Sequence, residues 1–275
     1  MQLDKARLLV AQIFAMPVIH EMAEKGDKLS SHQTDHGMKH FLEVAEMARK
    51  LCAIVSARRP GALNECETDV IISLASLFHD IGRAIDVEDH ANAGARWAQK
   101  FLKQTPLFGD EEILPRSVRN RICRIIACHR SGIVLNREFN DPAWAIVVLA
   151  DKFVGDEERV RPGRALVLGM LTILGLPWIP LRKGGIHDRV NFAIKKVIPE
   201  ANGDELDLVL LLDQRVCDGK LVLDTYSNRY LACDRAARYL GFKFRIRFRT
   251  VGEGIGTNTE IYGHHVHADK WLRVA

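Results

Sequence analysis

The chain has 275 residues, of which 47% are hydrophobic and 27% charged, so it is long enough to bury the core of a soluble globular protein. Its formal net charge of +4 suits a small anionic ligand but is too low for the basic stripe of a nucleic-acid-binding protein. Six cysteines without a C-x-x-C pair indicate reduced thiols and a cytoplasmic location. Nucleic acid is therefore disfavoured as a partner, and homo-oligomerisation is left open.

Two apolar stretches raise the question of a membrane. Residues 8–19 follow two basic residues, but the sequence shows no small-residue cleavage site after them, so we expect an amphipathic helix there. Residues 165–181 carry no charge, yet they are shorter than the ~20 residues of a spanning helix, and Pro177 and Pro180 interrupt them. This stretch predicts a buried helix followed by a loop, and we expect no membrane association.

From residue 4 to about 175 the apolar residues recur at helical spacing, with breaks at glycines and prolines. The clearest predicted helices cover residues 35–57, 67–78, 88–103, 117–128 and 142–152. In the last of these, Pro142 follows Asp141 and fits the preference for proline at the first helical position. The pattern predicts an all-α domain over residues 1–184.

After Gly184 the pattern becomes that of strands. Residues 190–198 and 206–212 are aliphatic and rich in β-branched residues, and Asn202-Gly203 between them is typical of a hairpin turn. A predicted helix over 227–240 precedes residues 242–250, which alternate apolar and basic. Residues 185–275 therefore predict a small α+β module of order β-β-α-β with a flexible, glycine- and histidine-rich tail. The fold class is mainly α with this C-terminal module.

A histidine and an aspartate are adjacent at positions 79 and 80, where an apolar run ends. Neighbouring helix positions point about 100° apart, so these two side chains cannot both serve one core face. At a helix end, however, both can converge on metal. Upstream, His40 lies within a predicted helix, and downstream Asp151 ends an apolar one, where a buried carboxylate needs a partner. These four residues are candidate metal ligands.

The order H…HD…D, with His-Asp-Ile-Gly-Arg and Leu-Ala-Asp-Lys around its central elements, resembles the HD superfamily of metal-dependent phosphohydrolases over roughly residues 30–160. The resemblance implies an HD-type helical bundle and, as metal ligands, His40, His79, Asp80 and Asp151. His90 lies in a segment that resembles the H-x-x-x-G-A stretch after the HD pair, and His129 resembles the later histidine of two-metal subfamilies. Either could instead be a helix-end histidine. We favour ligation, which makes the site binuclear.

The resemblance implies hydrolysis of a nucleotide or other small phosphate ester, because two ions lower the pKa of a bridging water and neutralise phosphate oxygens. Histidine and carboxylate ligands suit divalent transition metals. Manganese or iron is favoured, zinc, cobalt and nickel also suit these ligands, and magnesium fits less well because it prefers an all-oxygen shell.

Positive residues beside the ligands are candidates for binding phosphate. Arg83 is the strongest, since family members commonly carry a basic residue there, whereas Arg130 and Lys152 could equally be solvated surface charges. His36 lies four residues before His40 on the same helix face, where it contacts substrate or lines the pocket wall. We assign catalytic roles to Asp80, Arg83 and Lys152, and substrate-binding roles to Arg83, Arg130 and His36.

Other HD-type activities compete with this interpretation. The acidic pair of (p)ppGpp hydrolases and the glycine-flanked histidine of deoxynucleotide triphosphohydrolases do not follow Asp80 in this sequence. A mixed-valence di-iron oxygenase uses the same fold and the same six ligands and is the main alternative. A non-catalytic signalling module predicts eroded ligands, whereas all six are present. We favour hydrolysis because basic residues adjoin the ligands.

Overall fold

The computed structural model describes residues 1–31, 34–104, 113–179 and 185–251, and the backbone of 259–267 and 270–274. The chain forms two compact units. The first comprises Met1–Ser30 and His36–Asp151, and the second comprises Ser31–Asp35 and Lys152–Ala275. The boundary that the sequence predicts after residue 184 stays a prediction, because residues 180–184 lie outside the described residues.

The first unit is helical, as the periodicity predicts. Its helices are α1 (Leu3–Phe14), α2 (Pro17–Leu29), α3 (Met38–Arg58), α4 (Ser73–Phe78), α5 (His90–Gln104), α6 (Arg116–Cys128), α7 (Ser131–Val134) and α8 (Pro142–Phe153), the last of which crosses into the second unit. Pro17 occupies the first position of α2, so the N-terminal apolar stretch forms two helices rather than one. A π-helix, Glu67–Ile72, leads directly into α4.

Helix α8 is buried along most of its length. Every residue from Ala143 to Ala150 is at most 6% exposed, which is typical of a helix that is hydrophobic on all sides. The side chain of Asp141 accepts a hydrogen bond from the Ala143 amide at 2.9 Å and caps the start of the helix. Asp151 therefore lies near the end of a helix whose preceding turns are buried.

The second unit contains α9 (Pro162–Ile173), α10 (Gly185–Ala193), α11 (Gly219–Tyr239) and one five-stranded sheet. The strands are β1 (Ile194–Asn202), β2 (Glu205–Leu212), β3 (Lys243–Thr250), β4 (Thr259–His267) and β5 (Lys270–Val274), in that spatial order. The β2 and β3 strands are parallel and α11 connects them, whereas the other neighbours are antiparallel. The predicted order β-β-α-β is confirmed.

Two expectations for this part of the chain are wrong, and a third stays a prediction. Residues 190–193 are helical, so the first strand begins only at Ile194. The flexibility of the tail stays a prediction, because its glycine-rich residues 252–258 lie outside the described residues; the described backbone after them forms β4 and β5. The run from residue 165 forms α9 as expected, but most of its large apolar side chains are exposed rather than buried.

Among the described residues, no single helix has both the length and the hydropathy needed to cross a membrane. The pair α1 and α2 passes that test together, by length and composition alone, and is bent by 48°.

Candidate metal centre

Six histidine and aspartate side chains from five helices meet in the first unit. His40 lies in the first turn of α3, His79 and Asp80 follow α4, His90 begins α5, His129 follows α6, and Asp151 lies near the end of α8. All but Asp151 are at most 5% exposed, and the Asp151 side chain is 14% exposed. These are the six residues that the sequence marks as candidate ligands, and the structure brings them together.

The first group of donor atoms surrounds the Nε2 atoms of His40 and His79, which are 3.1 Å apart. Oδ1 of Asp151 lies 4.0 Å from His40 Nε2 and 3.7 Å from His79 Nε2. Oδ2 of Asp80 lies 3.7 Å from His79 Nε2. The ligand atoms of His40, His79 and Asp80 all lie within 4.8 Å of one another, close enough to share one ion.

The second group uses the other oxygen of Asp80. Oδ1 lies 3.2 Å from His90 Nε2 and 3.5 Å from His129 Nε2. These three residues also offer ligand atoms within 4.8 Å of one another. The two oxygens of Asp80 thus face different sets of histidines, so this carboxylate lies between the two groups.

Main-chain carbonyls orient three of the imidazole rings. Nδ1 lies 2.7 to 2.9 Å from the carbonyl oxygen three residues earlier in the pairs His79–Ser76, His90–Val87 and His129–Ile126. A carbonyl oxygen only accepts, so each Nδ1 carries the hydrogen and donates it. In a neutral ring Nε2 then presents its lone pair to the carboxylates. A divalent cation satisfies lone pairs and carboxylates together, so this donor set fits a metal ion.

Burial and charge favour metal-binding protonation states in three of the six candidate ligands. Burial lowers the pKa of His79, and it lowers the pKa of His90 to about 4 against the opposing pull of Asp80. Burial would raise the pKa of Asp80, but Arg83 and the adjacent histidines hold it well below its usual range. Neutral imidazoles and an ionised carboxylate are the forms that coordinate a divalent cation.

A sequence model of the HD domain family matches residues 37–156, the segment that contains all six side chains. The chain carries an HD domain. The HD domain indicates the superfamily of metal-dependent phosphohydrolases, so the resemblance seen in the motif is confirmed. No curated protein matches the chain.

Close glycine packing sets the position of the HD pair relative to α5. Gly82 lies in the 3₁₀ turn Ile81–Ala84 directly after the pair, and a Cβ there would be 2.0 Å from the carbonyl oxygen of His90 and 2.3 Å from the amide nitrogen of Gly94. The same turn also packs closely against α2, because a Cβ at Gly26 would be 2.9 Å from the Cβ of Arg83 and 3.1 Å from the amide nitrogen of Ala84. The turn is therefore held between α2 and α5 at backbone contact distance.

Two of the predicted polar residues lie beside the ligands of the HD domain. Arg83 Nε donates to Asp80 Oδ2 at 2.8 Å, so this arginine contacts the carboxylate of the HD pair directly. His36 is almost buried, its Nε2 lies 3.8 Å from the same oxygen, and its ring centroid is 5.5 Å from that of His40. The structure thus brings both residues to the candidate centre.

The other two predicted basic residues are placed differently. Arg130 is exposed, and its Nη1 donates to the carbonyl oxygen of Glu88 at 2.6 Å. Lys152 follows Asp151 and belongs to the second unit, where its carbonyl oxygen accepts a hydrogen bond from Arg229 Nε at 2.8 Å. The substrate-binding role of Arg130 and the catalytic role of Lys152 stay predictions.

A polar network that the sequence analysis did not identify supports two of the ligand-bearing helices. Arg121 of α6 donates to Asp141 at 2.7 and 2.8 Å and to Glu67 at 2.5 Å. Arg124 also donates to Asp141, which is 2% exposed. The network connects α6, which precedes His129, to the start of α8. Its only sequence signal is the i, i+3 spacing of the two arginines on one helix face.

Proposed function

We propose that the protein is a phosphatase or phosphodiesterase that hydrolyses a nucleotide or another small phosphate ester with two divalent transition-metal ions, manganese or iron being favoured. Zinc, cobalt and nickel suit the same ligands, and magnesium suits them less well. His40, His79, Asp151 and Oδ2 of Asp80 would hold one ion. His90, His129 and Oδ1 of Asp80 would hold the other.

This proposal rests on the different histidines that the two oxygens of Asp80 face. One oxygen faces His79 at 3.7 Å, and the other faces His90 at 3.2 Å and His129 at 3.5 Å, so one carboxylate serves both groups. Two bound divalent ions lower the pKa of a water molecule and neutralise charge on the phosphate oxygens. A site of this composition is suited to hydrolysis without a covalent protein intermediate.

Side chains around the ligands would keep Asp80 ionised and bind the phosphate group. Arg83 keeps Asp80 ionised, and because a guanidinium has five N–H donors, its Nε bond to Asp80 is compatible with a second bond to a phosphate oxygen. His36, four residues before His40, is placed to contact the substrate or to orient Asp80. Lys152 and Arg130 are further candidates for binding phosphate. All six cysteines are free, in keeping with the cytoplasmic location that we propose.

The test is an oxygen-free assay of manganese-loaded protein on p-nitrophenyl phosphate, bis(p-nitrophenyl) phosphate, nucleoside monophosphates and cyclic nucleotides. We expect the wild type to hydrolyse at least one of these esters and Asp80→Ala to lose at least ~100-fold in rate, because the bridging ligand is removed. Asp224→Ala is the matched control, since Asp224 is 64% exposed on α11 of the second unit. Equal rates for wild type and Asp80→Ala would contradict the proposal.

The alternative function is oxygen activation at a mixed-valence di-iron centre, because that chemistry uses the same six-residue set. Iron-loaded protein that consumes oxygen and hydrolyses none of these esters would establish this alternative. The direct contact of Arg83 with Asp80 favours hydrolysis, since a guanidinium beside the ions suits an anionic substrate.

A further inference from the structure

Helix α9 and the loop after it carry an apolar face that is exposed to solvent. Its large side chains, with their exposed fractions, are Leu166 (67%), Val167 (44%), Met170 (56%), Ile173 (87%), Leu174 (66%) and Trp178 (66%). Positions 166, 170, 173 and 174 follow the spacing i, i+4, i+7, i+8, so they form one stripe along the helix. We call these six residues the α9 stripe.

The α9 stripe is about as large as the largest apolar patches of ordinary monomers. Taking roughly 150 Å² for each side chain, the lower end of the aromatic range, the exposed fractions correspond to on the order of 600 Å², and the largest patch on a typical monomer covers ~300–600 Å². Each partner in a standard protein–protein interface buries ~800 Å². The area of the α9 stripe therefore approaches that of one side of a standard interface.

The opposite face of α9 packs within the second unit. Leu168 is fully buried, and a Cβ at Gly169 would lie 3.8 Å from the ring of Phe192 on α10. Arg164 Nη1, at the start of α9, bonds Oδ2 of the buried Asp188 at 2.5 Å. The helix is thus anchored by packing and by an ion pair, and it presents the stripe on a fixed support.

Charge distinguishes between two possible occupants of this apolar face, a membrane surface and a second copy of the chain. The stripe itself carries no charge, since the first basic residues after it in the sequence are Arg182 and Lys183, and the arginine at the start of the helix, Arg164, pairs with Asp188. An interfacial helix on an anionic membrane relies on basic residues that face the lipid. In a two-fold interface, in contrast, the same surface of each copy meets the other, so charged residues would face their own kind. An uncharged stripe avoids this repulsion. We propose that the α9 stripe is the interface between two copies of this chain, related by a two-fold axis.

The proposal is tested by light scattering coupled to size-exclusion chromatography, with Met170→Glu and Ile173→Glu as variants. We expect the wild type to have twice the 31.0 kDa mass of one chain at micromolar concentration. Each variant should raise the dimer dissociation constant by at least ~100-fold, because it buries unpaired carboxylates in the interface. Leu8→Glu is the matched control, since Leu8 is 52% exposed on α1 of the first unit, and it should stay dimeric.

A cross-linking experiment does not depend on any destabilising charge. All six natural cysteines are free and five are buried, so an added cysteine on the stripe is the principal reactive thiol. Under a mild thiol oxidant, at least one of Leu166→Cys, Met170→Cys and Ile173→Cys should form a disulfide-linked dimer, and Leu8→Cys should not. A wild type that is monomeric at 100 μM would overturn the proposal. So would a dimer that the charged variants leave intact, or binding to phosphatidylglycerol vesicles that the same variants abolish.

Discussion

A single methyl group added at Gly82 tests whether close backbone packing positions the second set of ligands. The backbone of Gly82 does not have a positive φ, so alanine is compatible with its conformation and only steric contact opposes it. The new Cβ would lie 2.0 Å from the carbonyl oxygen of His90 and 2.3 Å from the amide nitrogen of Gly94. Both contacts are with backbone atoms of α5, which cannot rotate away as the end of a side chain can.

The size of the effect follows from these distances. Real Cβ contacts essentially never fall below 3.0 Å, so the His90 carbonyl must retreat from 2.0 Å by about 1 Å. Overpacking of this kind costs ~1–3 kcal/mol, and the lower entropy of an unfolded alanine chain offsets at most ~1 kcal/mol of it. Since His90 Nε2 is 3.2 Å from Asp80 Oδ1, the same shift disrupts the second group of donors. We expect affinity for the second ion to fall ~10–100-fold.

The assay for Gly82→Ala combines urea denaturation of the metal-free protein with a manganese titration. Gly163→Ala is the control, because a Cβ at Gly163 on α9 meets nothing within 4 Å. The control should match the wild type in metal binding and be at least as stable, because the lower entropy of its unfolded chain is the only expected effect. Gly82→Ala, in contrast, should lose stability and weaken the second binding event more than the first. Unchanged stability and two unchanged binding events in Gly82→Ala would refute the idea that this contact positions His90.

Two further predictions concern the second group of ligands and the supporting network. His90→Ala and His129→Ala should each lower the bound metal from about two ions per chain toward one, measured by elemental analysis, and unchanged stoichiometry would return both residues to structural roles. Asp141→Asn should destabilise the protein by ~1–3 kcal/mol at pH 7, because it removes the carboxylate that Arg121 and Arg124 bond. Burial raises the pKa of Asp141, but the hydrogen bonds from Arg121 and Arg124 outweigh burial and leave this pKa below its usual value. The ionised carboxylate therefore contributes fully to the free energy of unfolding above pH ~4, and this contribution is lost as the pH falls through the lowered pKa of the folded protein. Wild-type stability should therefore fall on acidification more steeply than that of Asp141→Asn, and parallel pH profiles would show that this carboxylate is not responsible.

Local periodicity was enough to predict most helices of the first unit. The helix expected at 117–128 is α6 (Arg116–Cys128), because apolar spacing along one face determines where a helix forms. The adjacency of His79 and Asp80 at a helix end likewise indicated converging side chains. His36 was expected beside His40 from their spacing of four residues, and its Nε2 lies 3.8 Å from Asp80.

The features that the sequence did not predict depend on contacts between residues that are far apart in the sequence. A charge-free run is typical of a buried helix, but exposure of α9 depends on which neighbours cover each face. No strand was expected in the tail, whereas β4 pairs with β3, and Arg245 lies opposite His265. Arg83 was expected to bind phosphate, and its contact with Asp80 is set by the tight turn between α2 and α5. The spacing of residue types within a short segment predicts none of these tertiary contacts.

The most direct test of the two-ion HD site is the metal content of the wild type and of Asp80→Ala, purified from manganese-supplemented cultures and measured by inductively coupled plasma mass spectrometry. Since the two oxygens of Asp80 face both groups of histidines, we predict about two ions per chain in the wild type and a loss of both in Asp80→Ala. A wild type that binds no transition metal, or an Asp80→Ala protein that retains the wild-type content, would contradict the two-ion site.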